Sequence, residues 1–312
     1  MLQSRLGTLA KIVLSAGLVA LVFYKVGFTQ AVMKLKTASP FWITLALSMY
    51  ISGAFVRAYR WKGLLNALGV KLNLGRLTWL YFIGFFFNQL VPTGIGGDAM
   101  RTYMLAKDGA GGTLAVNSVL VDRAAGLYSL LVMGTMVLMI RPDLASREVT
   151  VLLVGLTLGI TIGAIVLIWG AKWINLERLP TFARNRFAKA FNKFYVSFGS
   201  YTWRSISRAL LVSVFFNLLL ILSNIFMAKA FGVEISIWYF FLFVPLISTS
   251  LILPSINGVG TREWAYVMLF GQVGVSESVA LAMSLGVYGL NICMALIGGM
   301  LLVVQSFQRA PE

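Results

Sequence analysis

The sequence predicts an all-α polytopic membrane protein, with about six transmembrane helices and two Pro/Gly-broken re-entrant hairpins in a 3+3 inverted repeat. Three observations lead there. Of 312 residues, 59% are hydrophobic and only 12% charged, against about 25% charged in an average soluble domain. Several apolar runs approach the roughly 20 residues that a helix needs to cross the hydrocarbon core, and no strand-type alternation suggests a barrel. Two of the runs are interrupted by similar Pro/Gly segments at matching places in the two halves, which is the sequence mark of an inverted-repeat transporter.

Composition also removes several function classes. The formal net charge is +16, but no basic soluble domain exists to meet nucleic acid, and basic residues gather on the cytoplasmic loops of membrane proteins. There is no histidine, the commonest general base and metal ligand. Zinc chemistry and a serine–histidine nucleophile are therefore excluded, leaving carboxylate or lysine chemistry as the enzymatic options. The one cysteine, Cys293, forms no intrachain disulfide. No cofactor or metal is expected. The apolar run from Ile12 to Tyr24 has no small-x-small cleavage site after it and reads as an uncleaved first span.

Full spans are expected at about 6–26, 41–58, 114–140, 149–170, 209–230 and 279–304. The first hairpin is expected over 77–107, where Leu77 to Val91 runs into Pro92-Thr93-Gly94-Ile95-Gly96-Gly97-Asp98. The second is expected over 235–272, where Ile235 to Leu253 runs into Pro254-Ser255-Ile256-Asn257-Gly258-Val259-Gly260. One offset carries Pro92 onto Pro254, Gly96 onto Gly258 and the span at 114–140 onto that at 279–304. The repeats are thus about 1–145 and 146–312 of a single transmembrane domain. Between them, 172–208 carries Phe187, Phe191, Phe194 and Phe198 at helical spacing among basic residues. It reads as an amphipathic segment on the inner leaflet, either a plain topology determinant or a lipid-recognition element.

With the N-terminus inside and both hairpins re-entrant, 18 basic residues fall on the cytoplasmic side and seven outside, and Arg123 lies in a span. The bias has the sign of the positive-inside rule, and places the protein in the cytoplasmic (inner) membrane with both termini cytoplasmic.

Charges near the bilayer centre cost at least about 2.5–3.5 kcal/mol on insertion scales, so those found there are paired, interfacial or lining a wet site. Asp98 and Arg101 follow the first break, Arg262 and Glu263 the second, and Asp122-Arg123 sits inside a span. Pro92 ends one half-helix, Gly94, Gly96 and Gly97 free the backbone, and Asp98 is placed to cap the next half-helix. A half-helix N-terminus is an anion site, and Arg101 adds a guanidinium suited to phosphate. Gly258, Gly260, Thr261 as a cap, and Arg262 repeat the device. These ion pairs either hold the hairpins or face a ligand. Asp122 is either the partner of Arg123 or another arginine, or a proton-coupling carboxylate. Arg57 and Arg60, followed by Trp61, form either an interfacial anchor or a phosphate contact. Asn88, Asn217, Asn224, Asn257 and Asn291 place further polar groups at apolar positions.

Together, Arg57-x-x-Arg60-Trp61, Asn88-x-x-x-Pro92 through Gly97-Asp98-x-x-Arg101, Asp122-Arg123-x-x-Gly126 and Pro254-Ser255-x-x-Gly258-x-Gly260-x-Arg262-Glu263 resemble the lysylphosphatidylglycerol synthase transmembrane-domain family, also called flippase-like domain proteins. The resemblance runs over nearly the whole chain. It implies lipid translocation, of aminoacylated phosphatidylglycerol in some members and in other lipid or polyprenyl-phosphate pathways elsewhere. The sequence stops at Glu312 without a soluble aminoacyl-transferase domain, so a non-enzymatic flippase is expected. Membrane lipids would be its substrate, bound at Arg57, Arg60, Asn88, Gly96, Gly97, Asp98, Arg101, Arg123, Asn257, Gly258, Gly260, Arg262 and Glu263. The alternative is a scaffold or partner subunit for a separate lipid-modifying transferase.

Overall fold

The computed structural model describes residues 33–91, 95–173, 192, 194–250 and 258–308. Within them the secondary structure is helical: besides short helical stretches at 33–36 and 194–198, it comprises α1 Pro40–Ala67, α2 Leu74–Leu90, α3 Gly96–Leu105, α4 Gly112–Ile140, α5 Arg147–Trp173, α6 Trp203–Ala230, α7 Ile237–Ser250, α8 Thr261–Gly271 and α9 Glu277–Gln308. A π-helical turn, Ala106–Ala110, follows α3, and a 3₁₀ turn, Pro142–Leu144, joins α4 to α5. Five helices, α1, α4, α5, α6 and α9, are long and apolar enough to cross a membrane. The expected span at 6–26, the centre of the 172–208 segment and the hairpin tips with Pro92 and Pro254 lie outside the described residues.

Local chemistry sets the helix ends. Pro40 starts α1 at a position where a missing N–H costs nothing. Asn73 caps α2 by accepting from Arg76 N at 2.7 Å, and Thr202 caps α6 by accepting from Ser205 N at 3.2 Å. Helices α1 and α6 stop in the same way. Gly69 (φ 78°) and Gly232 (φ 71°) adopt the left-handed conformation. Val70 N then returns to Leu65 O, and Val233 N to Ala228 O. Ala67-Leu68-Gly69-Val70 and Ala230-Phe231-Gly232-Val233 are thus a second matched pair, at the ends of corresponding spans.

Helix α1 extends beyond the expected 41–58. Trp61, Leu64 and Leu65 beyond Arg60 are fully buried, so tertiary packing carries the helix past its charges. Arg57 and Arg60 therefore lie inside a helix and Trp61 in the core, which corrects the interfacial-anchor alternative. Helices α1 and α6 pack antiparallel along their length. Ser39 N donates to Ala230 O at one end, at 2.9 Å, and Leu64 clusters with Tyr201 and Ala209 at the other.

The hairpins enter from opposite ends of this pair. In the first, α2 and α3 lie side by side, and their feet are tied by two hydrogen bonds from Arg76 to Asp108, at 2.8 and 3.0 Å. In the second, Phe270 of α8 packs on Phe240 and Phe243 of α7, with ring centroids 5.5 and 5.2 Å apart. Each hairpin's leading arm packs on the last span of the other half. A β-carbon added at Gly298 of α9 would lie 2.0 Å from Phe82 O of α2, and one at Gly134 of α4 would lie 3.0 Å from Phe241 O of α7. Glycine is what permits such close backbone approach between membrane helices. Helix α5 stands outside, with Val151, Leu152, Leu158, Ile162 and Val166 exposed to lipid. With Arg60, Arg101 and Arg262 buried and Arg57 half-buried inside the bundle, three basic residues leave the cytoplasmic tally and one the outer, and the sign of the bias is unchanged.

Two outcomes follow. Cysteines at Lys71 and Lys107 are expected to label with a membrane-impermeant maleimide from one face and a cysteine at Glu234 from the other; Lys71 and Lys107 labelling from opposite faces would refute the re-entrant hairpin. A Gly298→Leu protein is expected to lose about 1–3 kcal/mol by overpacking, read as a lower unfolding temperature in detergent.

Candidate functional site

The polar residues of both halves meet where the inner ends of the hairpins approach α1, α4, α6 and α9. Two adjoining cavities lie there, of about 300 Å³ on the first-hairpin side and about 200 Å³ on the second. Tyr50, Arg57, Phe216, Leu220, Ser248 and Asn291 line both.

Asp122 of α4, 1% exposed, organises the larger cavity. Its carboxylate accepts from Arg60 Nε at 2.8 Å and from the Tyr81 hydroxyl, and Arg101 Nη1 stands 3.5 Å away. Arg60 also donates to Ser213 Oγ on α6 at 2.9 Å. Asp122 is thus the partner of Arg60 and Arg101, while Arg123 turns to Asp98 at 2.5 Å. Asp98 also accepts from Arg101 Nη2 at 2.7 Å. The Arg101 guanidinium stacks on Tyr81 and Trp61, 4.2 and 4.9 Å from the ring centroids.

Arg57 is held differently. Its guanidinium lies 5.2, 4.9 and 5.0 Å from the ring centroids of Tyr81, Phe85 and Phe216. Among the described residues its buried Nε has no hydrogen-bond partner and no carboxylate reaches ion-pair distance. Four guanidiniums, of Arg57, Arg60, Arg101 and Arg123, and two carboxylates, of Asp98 and Asp122, line the larger cavity. Among the described residues the surplus is two positive charges.

On the other side, Arg262 lines the smaller cavity and is neutralised locally. Its Nη2 donates to Glu263 Oε1 at 2.6 Å, and its guanidinium lies over Tyr288 at 4.7 Å. Glu263 Oε2 accepts from Gly260 N at 2.7 Å, so Glu263 secures the start of α8. The cap expected of Thr261 is supplied this way instead, and Thr261 Oγ1 donates to Gly258 O. The cap expected of Asp98 is also supplied elsewhere: Gly97 N donates to Asn88 Oδ1 across the break at 2.7 Å.

Of the expected site residues, Arg57, Arg60, Asn88, Asp98, Arg101, Asp122, Arg123 and Gly258 line the larger cavity and Arg262 the smaller. Gly96, Gly97, Gly260 and Glu263 line neither. A β-carbon at Gly97 would lie 2.1 Å from Gly84 O, and one at Gly96 would lie 2.6 Å from Val91 Cβ, so these two glycines bring α3 onto α2 rather than presenting amides. Asn257 lies outside the described residues. Sequence reasoning missed Tyr81, Tyr50, Gln89, Phe216 and Tyr288, because a phenol or glutamine in an aromatic-rich apolar run carries no distinguishing signal. Tyr50 donates to Asn291 Oδ1 at 2.8 Å and Tyr288 to Gln89 Oε1 at 3.1 Å, the second joining α9 to α2.

Gly126, one turn beyond Asp122, makes room for the network: a β-carbon there would lie 2.9 Å from Arg60 Nη1. Asp122→Ala is expected to destabilise the protein by about 3–5 kcal/mol, because it strands buried cations. Gly126→Ala displaces Arg60 and is expected to cost about 1–3 kcal/mol. Thermal unfolding in detergent measures both, and wild-type stability of Asp122→Ala would rule out the node.

A UPF0104 membrane protein of Pyrococcus horikoshii is 23% identical over 189 residues, covering 60% of this chain and 56% of the relative. A UPF0104 membrane protein of Methanocaldococcus jannaschii is 29% identical over 100 residues, covering 31% of this chain and 30% of the relative. The chain therefore spans about half, or less, of the length of these curated relatives. The lysylphosphatidylglycerol synthase TM region family matches residues 8–299, a stretch that takes in every arginine and carboxylate of the two cavities, and the chain belongs to that family.

Proposed function

We propose that the protein is a lipid flippase or transporter that binds an anionic, phosphate-bearing headgroup in the paired cavities between the hairpins, leaving the acyl or prenyl chains in lipid. The observation that carries this reading is Arg57, a guanidinium that among the described residues has no carboxylate partner, at the junction of both cavities and itself part of the surplus of two positive charges. A half-buried cation that no acid among the described residues neutralises favours an anion from outside the chain. Phospholipid, aminoacyl-phospholipid and polyprenyl-phosphate lipids share the phosphate that this chemistry selects.

The chain works by transport rather than by covalent chemistry in this reading. Asp98, Asp122 and Glu263 are each held by arginine, an arrangement that suits structural anions better than general bases. The cross-packing of each hairpin on the last span of the other half supports a 3+3 inverted repeat of about 1–145 and 146–312, and movement of one half against the other would alternate access. The basic bias supports the cytoplasmic membrane with both termini inside.

The test is reconstitution of purified protein in vesicles holding a fluorescent phosphatidylglycerol, followed by dithionite bleaching. Wild-type protein is expected to expose inner-leaflet lipid, with Arg57→Gln slowed at least tenfold and Arg57→Lys retaining part of the rate. A folded Arg57→Gln protein that moves lipid at the wild-type rate would remove the central cavity from the mechanism.

A further inference from the structure

A third cavity, of about 290 Å³, opens between the last turns of α1 and the first turns of α6. Arg60 forms its inner wall and is also a wall of the larger central cavity. Arg204 and Arg208 stand at its rim, with Tyr59, Asn66 and Thr202. Arg208 donates to the Tyr59 hydroxyl and lies over the Tyr59 ring at 5.5 Å. Among the described residues no acidic residue lines this cavity, and neither Arg204 nor Arg208 has a carboxylate at ion-pair distance. The N-terminal end of α6, a 28-residue helix, adds the positive end of its dipole.

We infer that this cavity is a second phosphate-binding site, in which Arg204 and Arg208 hold a phosphate-bearing lipid headgroup beside the central cavity, with Arg60 as the shared wall. Trp203, 82% exposed next to the rim, is a side chain suited to the headgroup layer, which favours a lipid over a free anion. The space is open for an occupant: a β-carbon added at Gly63 in its wall would meet nothing within 4 Å. The binding site stands on these contacts alone, whereas its service as a holding point for transport rests on the function proposed above.

The experiment is calorimetric titration of the purified full-length protein with dihexanoylphosphatidylglycerol, repeated with glycerol phosphate. Wild-type protein is expected to bind two equivalents of the short-chain lipid. The Arg204→Gln/Arg208→Gln double variant and Gly63→Phe are each expected to lose one, and Arg57→Gln the other. Gly63→Phe fills the cavity from a helical position with free space, so it tests occupancy without removing charge. Binding of glycerol phosphate with the same variant pattern would identify the phosphate ester alone as sufficient. Binding of the lipid only would identify the headgroup of a membrane lipid. Two equivalents retained in both the double variant and Gly63→Phe would overturn the site, as would a single equivalent lost only in Arg57→Gln. Loss of one equivalent in the α1–α6 variants, with Arg57→Gln binding normally, would sink the central-cavity reading and leave this site standing. In vesicles, Gly63→Phe is expected to slow lipid movement at least fivefold; an unchanged rate would overturn the holding role.

Discussion

The relative placement of four helices depends on one buried carboxylate. Asp122 on α4 draws Arg60 from α1, Tyr81 from α2 and Arg101 from α3 into a single cluster. A lone carboxylate in such surroundings is strongly unfavourable, and so is each lone guanidinium, so the assembly is worth forming only as a set. The backbone accommodates it by omission. Glycine at 126 leaves space for the end of Arg60, and glycine at 84 for the aliphatic stem of Arg101, whose Cδ would lie 3.3 Å from an added β-carbon. The first half thereby holds more cation than anion, and a region of positive potential persists within a protein whose surroundings are hydrocarbon.

The second half uses similar backbone geometry with different charge. Position for position, Glu263 stands where the first half has Arg101, and Ser284 where it has Asp122. The two pairs meet alike, since Ser284 Oγ donates to Glu263 Oε1 at 3.3 Å. Here the carboxylate rides on the hairpin and neutralises its own neighbour, Arg262. The two hairpins are therefore unlike in electrostatics, and the cavities between them grade from a charge-rich end to a locally balanced one. Gly134 and Gly298 lock each half onto the other's hairpin at backbone contact, so this polar seam is sealed on both sides by close-packed helix pairs.

Much of this was legible in the sequence. Bulk apolarity marks a membrane protein, and run length marks the helices α1, α4, α5, α6 and α9 to within a few residues, except at the end of α1 and the start of α6. At the end of α1, hydropathy stops at Arg57 and Arg60 because it treats every charge as facing lipid, whereas Trp61, Leu64 and Leu65 carry the helix on by packing. The Pro/Gly breaks identified both hairpins. Their internal chemistry was less readable. Local rules assign the caps to Asp98 and Thr261. Asn88, nine positions before Gly97, performs the first task, because a hairpin brings its two arms together in a way that sequence spacing does not record, and Glu263, three positions after Gly260, performs the second from within α8. The network at Asp122 was half visible: the acid stands out in a span, while its arginine partners come from other helices and Tyr81 looks like one more aromatic residue.

The setting of Arg57 also bears on selectivity. Three ring faces attract its guanidinium without the fixed geometry of a carboxylate clamp. Such a cation distinguishes charge well and shape poorly, so different phosphate-bearing headgroups would be held about equally there. In the transport reading, finer discrimination would fall to carboxamides of the same cavity. Asn217 lines it: its Nδ2 is committed to Gly126 O at 3.0 Å, while among the described residues nothing donates to its buried Oδ1. An acceptor left open in the cavity that holds Arg57 would favour a ligand that carries a hydroxyl or an ammonium group near its phosphate, and disfavour one whose phosphate bears only hydrocarbon.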